Sequence, residues 1–387
     1  MKRKICFITS SRADFGLLSP LIELVKKDSY LKCQLIATGA HLSSEFGLTY
    51  REIEKNKFYI DKRISILSNS DTPVGIAKSM GLALAGFAEA YTELSPDIIV
   101  VLGDRYELLS AVAAALVSNI PVAHIAGGEV TEGACDDSIR HSITKMSQLH
   151  FTISETYRRR VIQLGEEPGR VFNVGALGID NIKRLKLLSK KEVEKTLGFK
   201  FNKRNLLVTF HPVTLEKNAS EKQFRNLLGV LGGLPQTNII FTKANADTGG
   251  RAINKAIEDF VAKNSNRSSL FPSLGNLKYL STMQFVDAVV GNSSSGIVEA
   301  PSFKIGVINI GDRQKGRIMA KNIINCEPAR EYILRAFEKL YSKKFQKNLK
   351  NTASPYGNGN AAGRIKDILK TYKIEGILKK HFHDIKI

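Results

Sequence analysis

The chain predicts an α/β protein made of two doubly wound, Rossmann-like domains in tandem. Three observations carry that expectation. Short apolar runs alternate with helical patterns through the first half, a polar, Lys-rich stretch at 181–205 interrupts the rhythm, and the second half repeats it. Parallel strands need crossover connections, usually helices, so this alternation reads as parallel sheets covered by helices. At 387 residues the chain is also too long for one ordinary core.

In the first half the strand candidates are 4–9, 33–38, 97–103, 121–125, 149–153 and 171–174, with helical patterns such as 106–117 and 155–164 between them. The stretch at 181–205 carries a helical segment and then a turn-rich run, which places a boundary near 180. Strand candidates resume at 206–210, 238–241, 269–271, 285–290 and 305–308, and a polar stretch at 350–360 precedes a final helical segment from Ala361. The expected division is 1–181, 182–362 and a C-terminal helical segment at 363–387. Two such domains leave a cleft at the carboxyl ends of their strands, where ligands of open α/β sheets bind.

Composition excludes several classes. A content of 43% hydrophobic and 24% charged residues is that of a soluble globular protein. Apolar runs such as 98–102 are too short to span a bilayer. The opening Met1-Lys2-Arg3-Lys4 imitates a signal peptide, but its apolar part gives way at Ser10-Ser11-Arg12, so a cytoplasmic protein is expected. Cys6, Cys33, Cys135 and Cys326 are scattered, without C-x-x-C spacing, as in a reducing compartment. No metal is expected; His381 and His383 on a Lys-rich tail do not make a site. The net charge of +20 comes from dispersed lysines rather than a concentrated basic module. It reads as a solvated surface that attracts an acidic small molecule, not nucleic acid or membrane.

The segment VVGNSSSGIVEAPSF, 289–303, places three serines between an apolar strand and a helix expected from Gly296 to about Pro301. A strand, a small polar loop and a helix start make a recurrent anion site, because the first-turn N–H groups point outward together. Serine and glycine are also ordinary turn and cap residues. Other polar residues fall at strand ends too: Ser10-Ser11-Arg12, Asp104-Arg105, Gly127-Gly128-Glu129, Asp136-Asp137, His211, Asn245, Asp247 and Asp312-Arg313. The first half contributes carboxylates, the second serines and arginines. That division suits a ligand with a phosphate end and a carbon-acid end. It indicates a nucleotide or phosphate-ester enzyme and goes no further.

The motifs SSRADFGLLSPLI, VLGDRYE, GGEVTEGACDDSIRHSITKMSQLHF, FHPVTLE, NADTGGR, GNSSSGIVEAPSF and INIGDRQKGR, in that order, resemble the hydrolysing UDP-N-acetylglucosamine 2-epimerases of sialic-acid-type sugar biosynthesis. The resemblance covers roughly 1–370. It implies the two-domain GT-B architecture with a central cleft and a last helix that crosses back onto the first domain. It also implies a reaction: a base takes the C2 proton as the nucleoside diphosphate leaves C1, and water adds to the resulting 2-acetamidoglucal, giving N-acetylmannosamine and UDP.

By motif match, Asp104, Glu129 and Asp137 form the acid/base set, with Asp136 competing with Asp137, and His211 meets the diphosphate or leaving oxygen. Arg12, Ser294, Ser295, Gly296 and Arg313 or Arg317 match nucleotide and phosphate contacts, and Glu299 matches the residue that holds ribose hydroxyls. Asn245 belongs to the same binding set, and Asp136 is its acidic member if Asp137 is the catalytic one. Arg105 and Arg140 either steer the sugar or pair with carboxylates. The chain departs from many relatives in having Ser10-Ser11 before Arg12. The resemblance implies a homo-oligomer, a UDP-sugar substrate and no cofactor. Alternatives are the same reaction on a UDP-linked 2,4-diacetamido-2,4,6-trideoxy sugar of the legionaminic acid route, a non-hydrolysing epimerase, a GT-B glycosyltransferase, and a sugar-nucleotide sensor or nucleic-acid binder.

Overall fold

A computed structural model describes residues 2–66, 72–131, 135–213, 219–244 and 249–385. The chain divides into two units. The first comprises 1–129, 136–181 and 356–387, the second 130–135 and 182–355. The return to the first unit therefore begins at Tyr356, seven residues before the expected 363, and a short segment after Glu129 belongs to the second unit.

The first unit holds a parallel seven-stranded sheet of β1 (Arg3–Thr9), β2 (Leu31–Thr38), β3 (Lys62–Ile64), β4 (Ile98–Leu102), β5 (Val122–Ile125), β6 (Leu149–Thr152) and β7 (Val171–Asn173), in the order β3-β2-β1-β4-β5-β6-β7. Strand order reverses between β1 and β4, where Phe7 pairs with Val100. Alternate residues of each strand feed two cores, as the two-residue period requires. Ile5, Phe7 and Val100 pack with Leu18, Ile22 and Leu369 on one face. Cys6, Ile8 and Val101 pack with Phe87, Tyr91 and Ala111 on the other.

The last helix, Ala361–Thr371, joins the first of these cores through Ile365 and Leu369. Its first two N–H groups, of Ala361 and Ala362, donate to the Asp180 carboxylate at 2.9 and 2.7 Å. Beyond it, Lys380 Nζ lies 2.6 Å from the buried Glu166 carboxylate, which also receives Lys145 at 2.7 Å.

The second unit repeats the plan with six parallel strands: β8 (Arg204–Thr209), β9 (Thr237–Thr242), β10 (Ser268–Phe271), β11 (Ala288–Gly291), β12 (Gly306–Ile310) and β13 (Ile323–Cys326), in the order β10-β9-β8-β11-β12-β13. Here the order reverses between β8 and β11, with Thr209 opposite Gly291. Leu206 and Val208 face one core with Phe224 and Phe337, and Leu207 faces the other with Val289 and Met283.

Two strands, β3 and β13, lie outside the sequence expectation. The helix after the serines also differs. It runs Ser294–Val298 with Ser293 as its N-cap, and Pro301 sits in the first turn of a following helix, Ala300–Phe303, rather than ending the first one. A proline there is tolerated because a first-turn N–H has no intrahelical partner to lose. Among the described residues no helix is long and apolar enough to cross a membrane, and no three His, Cys, Asp or Glu are grouped to hold a metal ion.

Candidate active site

Both reversals of strand order carry the residues singled out by sequence. In open α/β sheets such points splay adjacent loops apart and leave a crevice at the strand ends.

In the first unit, Asp104 and Arg105 follow β4, Glu129 follows β5, and the helix Asp136–Met146 brings Asp136, Asp137 and Arg140. The turn before Glu129 demands glycine: Gly128 has φ +79°, and a Cβ there would stand 2.5 Å from the Tyr157 carbonyl oxygen. Arg140 is only 1% exposed, a position a guanidinium occupies only when its charge is met. Its Nη2 pairs with the Asp104 carboxylate. Its Nη1 donates to the Glu129 carbonyl at 2.9 Å and to Asp137 Oδ1 at 3.2 Å. Burial opposes the Arg140 charge, but the carboxylates of Asp104, Glu129 and Asp137 outweigh it and raise its pKa. The three acid/base candidates are thus brought to one buried cation, and Arg140 pairs with carboxylates, as one of its two sequence readings has it. His141 Nε2 stands 3.5 Å from the other Asp137 oxygen. Asp136 opens the same helix, half-buried.

Beneath this cluster lies His124 on β5, which sequence reasoning missed. Fully buried, it places Nε2 2.8 Å from the Gly103 carbonyl and Nδ1 3.1 Å from Thr144 Oγ1. The carbonyl can only accept, so Nε2 carries the proton and Nδ1 accepts from the threonine. Burial lowers its pKa to about 3, so the ring is neutral and ties the Asp104 turn to the sheet.

The first loop is satisfied by its own chain. Asp14 accepts from the N–H groups of Ser10 and Ser11 at 2.9 and 3.0 Å and from Thr9 Oγ1 at 2.6 Å. The Ser10 hydroxyl, the departure from the family pattern, also turns inward to Asp14 at 2.9 Å. Arg12 pairs with Glu52 at 2.7 Å. Arg105 Nε donates to the buried Glu107 at 3.1 Å.

In the second unit, Ser293 Oγ accepts from Ser295 N at 3.4 Å, and the Gly296 N–H donates to the Ser293 carbonyl at 3.2 Å. Gly296 is also a packing requirement, since a Cβ there would lie 3.1 Å from Val307 Cγ1. Ser294 is exposed and the Ser295 hydroxyl bonds to the phenol of Tyr279. Burial pushes that phenol up to about 12, and the nearby Glu299 carboxylate adds to the shift. The buried His211 follows β8. Arg313 Nη1 donates to the Asn292 carbonyl at 3.1 Å, and Arg317 Nε to the Val130 carbonyl at 3.4 Å. Asn245, with Asp247, lies outside the described residues.

A family model described as UDP-N-acetylglucosamine 2-epimerase matches residues 23–370. The chain belongs to that family. Among curated relatives of this 2-epimerase family member, a GDP/UDP-N,N'-diacetylbacillosamine 2-epimerase (hydrolyzing) from Campylobacter jejuni is 49% identical over 99% of the chain and 100% of the relative. A UDP-N,N'-diacetylbacillosamine 2-epimerase (hydrolyzing) from Legionella pneumophila is 33% identical over 98% and 99%. The crystal structure of the UDP-GlcNAc 2-epimerase from Neisseria meningitidis bound to UDP-GlcNAc superimposes with a TM-score of 0.82 at 18% identity, over 95% of this chain and 99% of that one, so the fold is shared. In this family member His124, Tyr279 and Asn292 are additions to the residues read from the motifs. Only Asn292 lay within a quoted motif as the neighbour of residues already singled out, in GNSSSG; the other two are visible only through their burial and partners.

Proposed function

We propose that this member of the family hydrolyses a UDP-linked 2-acetamido sugar with inversion at C2, and that the sugar is N,N'-diacetylbacillosamine, a 2,4-diacetamido-2,4,6-trideoxyglucose. The observation that carries the reaction class is the buried Arg140 joined to Asp104, Asp137 and the Glu129 carbonyl. A reaction that removes a proton from one face of C2 and returns one to the other needs at least two acid/base groups. A shared guanidinium lets carboxylates stand close together without the full cost of their repulsion.

In this reading the bond from C1 to the diphosphate oxygen breaks, and its electron pair leaves with UDP. One of the three carboxylates takes the C2 proton, and the C2–H pair becomes the C1–C2 double bond of a glycal. Water then adds its oxygen to C1 while a second carboxylic acid delivers a proton to the opposite face of C2. The water's remaining proton returns to a carboxylate, so one water is consumed and one UDP released. His211, Ser294, Ser295, Arg313 and Arg317 hold the diphosphate, Glu299 the ribose, and Arg12, Arg105, Asp136, Asn245 and Gly296 complete the binding set. Scattered thiols support a cytoplasmic setting.

The choice of sugar is supported by the names of the Campylobacter and Legionella relatives, matched along their whole length. The second reading, conversion of UDP-N-acetylglucosamine to N-acetylmannosamine, is supported by the description of the family model. Free UDP followed by phosphorus NMR with each sugar nucleotide separates them. The first reading expects kcat/KM at least ~10-fold higher for the diacetamido sugar, a margin that one substituent pocket can supply. Equal values or the reverse order favour the second, and a GDP-linked sugar in parallel tests the choice of nucleotide.

A further inference from the structure

At the strand reversal of the second unit, one side chain that cannot itself reach a ligand joins three loops. Asn292 follows β11 directly and is 1% exposed. Its amide lies against the main chain of His211: Oδ1 accepts from the His211 N–H at 2.7 Å, and Nδ2 donates to the His211 carbonyl at 2.8 Å. Its own N–H donates to the Thr209 carbonyl at 3.2 Å. Its carbonyl accepts from Arg313 Nη1 at 3.1 Å and from Gln314 Nε2 at 2.8 Å. The next residue, Ser293, caps the serine turn.

The approach is close because glycine precedes it. Gly291 has φ +129°, and a Cβ on it would stand 1.9 Å from the Thr209 carbonyl oxygen. Glycine lets the end of β11 lie against β8, and the asparagine then bridges the two loops. The asparagine amide carries both the acceptor and the donor needed to bond the N–H and the carbonyl of one residue at once.

We infer that Asn292 is the positioning residue of the second unit, fixing His211 and Arg313 relative to the serine turn. The inference rests on the reading above that those groups meet the departing diphosphate. Asn292 touches no substrate; it acts through His211 and Arg313. An aspartate in its place keeps an acceptor for the His211 N–H but has no donor for the His211 carbonyl. A buried carbonyl that loses its donor is costly, and the local backbone moves to recover one. Displacements of about 1 Å at reacting groups cost on the order of 10²-fold in rate.

The test is Asn292→Asp in the full chain, with His211→Gln used to assign the ring-proton resonance of His211. The expected result is a cooperatively folded protein in which the His211 resonance moves, UDP binds roughly 10-fold more weakly and kcat/KM falls about 10²-fold. A folded variant with an unmoved His211 resonance and wild-type UDP affinity and kcat/KM overturns the inference, whatever its melting temperature. If the aspartate variant does not fold, Asn292→Ser is read by the same criteria. The resonance needs no turnover: if the wild-type protein releases UDP from no sugar nucleotide, the proposed reaction fails while the role of Asn292 is still decided.

Discussion

Asp137 Oδ1 lies 3.2 Å from Nη1 of Arg140, the same nitrogen that donates to the Glu129 carbonyl at 2.9 Å. One nitrogen therefore fixes a helix residue against the loop that ends β5, while the other terminal nitrogen pairs with Asp104 beyond β4.

Replacing Arg140 separates charge from geometry. Arg140→Met takes the guanidinium away from Asp104 and Asp137, and removing one partner from a buried pair costs about 3 kcal/mol. Urea unfolding should show that loss, moderated because both carboxylates retain some contact with solvent. Arg140→Lys keeps one charge but loses the fork that spans three partners. It should fold and yet lose at least ~10²-fold in kcat/KM. A lysine variant of wild-type activity would show that the fork does not organise the carboxylates.

The motifs were legible because they lie at strand ends, but the partners of Arg140 were not. Its partners stand thirty-six, eleven and three positions away, and only the fold decides whether a guanidinium meets carboxylates or ligand. Both α/β units were readable from the rhythm of the apolar runs. The edge strand β3 was not, because Lys62-Arg63-Ile64 has only one apolar residue. Ile323 to Cys326 escaped as β13 because it is a short edge strand of four residues interrupted by Asn325. His124 has no motif around it; its meaning appears only once the strand that holds it is buried.

Acid should destabilise the protein in a known direction through His124. Its pKa is lowered from 6.5 to about 3, so between these values the unfolded chain binds a proton that the folded chain does not. Stability therefore falls as pH drops through that window, by about 1.4 kcal/mol per unit from this residue alone. Glu166 adds a second loss at lower pH. Despite burial, its bonds to His150, Lys145 and Lys380 hold it at about 2, below its ordinary 4.5, so its contribution fades as pH falls through that range. Urea unfolding at pH 7 and pH 5 should show wild type losing more stability than His124→Gln. Equal slopes would mean that His124 does not titrate as its burial requires.

Asp180 supplies the cap that the helix Ala361–Thr371 lacks locally, since Asn360 makes no side-chain cap bond. Asp180→Ala should lower stability by about 1 kcal/mol, the usual value of such a cap. Hydrogen exchange should rise first at Ala361 and Ala362. Unchanged protection there would place the start of the helix under other control.

Tyr279 bonds to the Ser295 hydroxyl from a half-buried position. Tyr279→Phe removes that bond along with the phenol's bond to Thr209, so UDP affinity should drop roughly 2- to 10-fold, equivalent to one neutral hydrogen bond at Ser295, with kcat little changed. Titration calorimetry with UDP measures it. A fall in kcat with unchanged UDP affinity would take Ser295 out of ground-state diphosphate binding.

The most direct test of the account is proton NMR of the purified protein with UDP-N,N'-diacetylbacillosamine in D2O. The account predicts stoichiometric free UDP and a 2-epimeric free sugar carrying deuterium at C2, with Asp104→Asn, Glu129→Gln and Asp137→Asn each blocking turnover. Free UDP with the C2 proton retained, or an unchanged sugar nucleotide here and with UDP-N-acetylglucosamine, would contradict it.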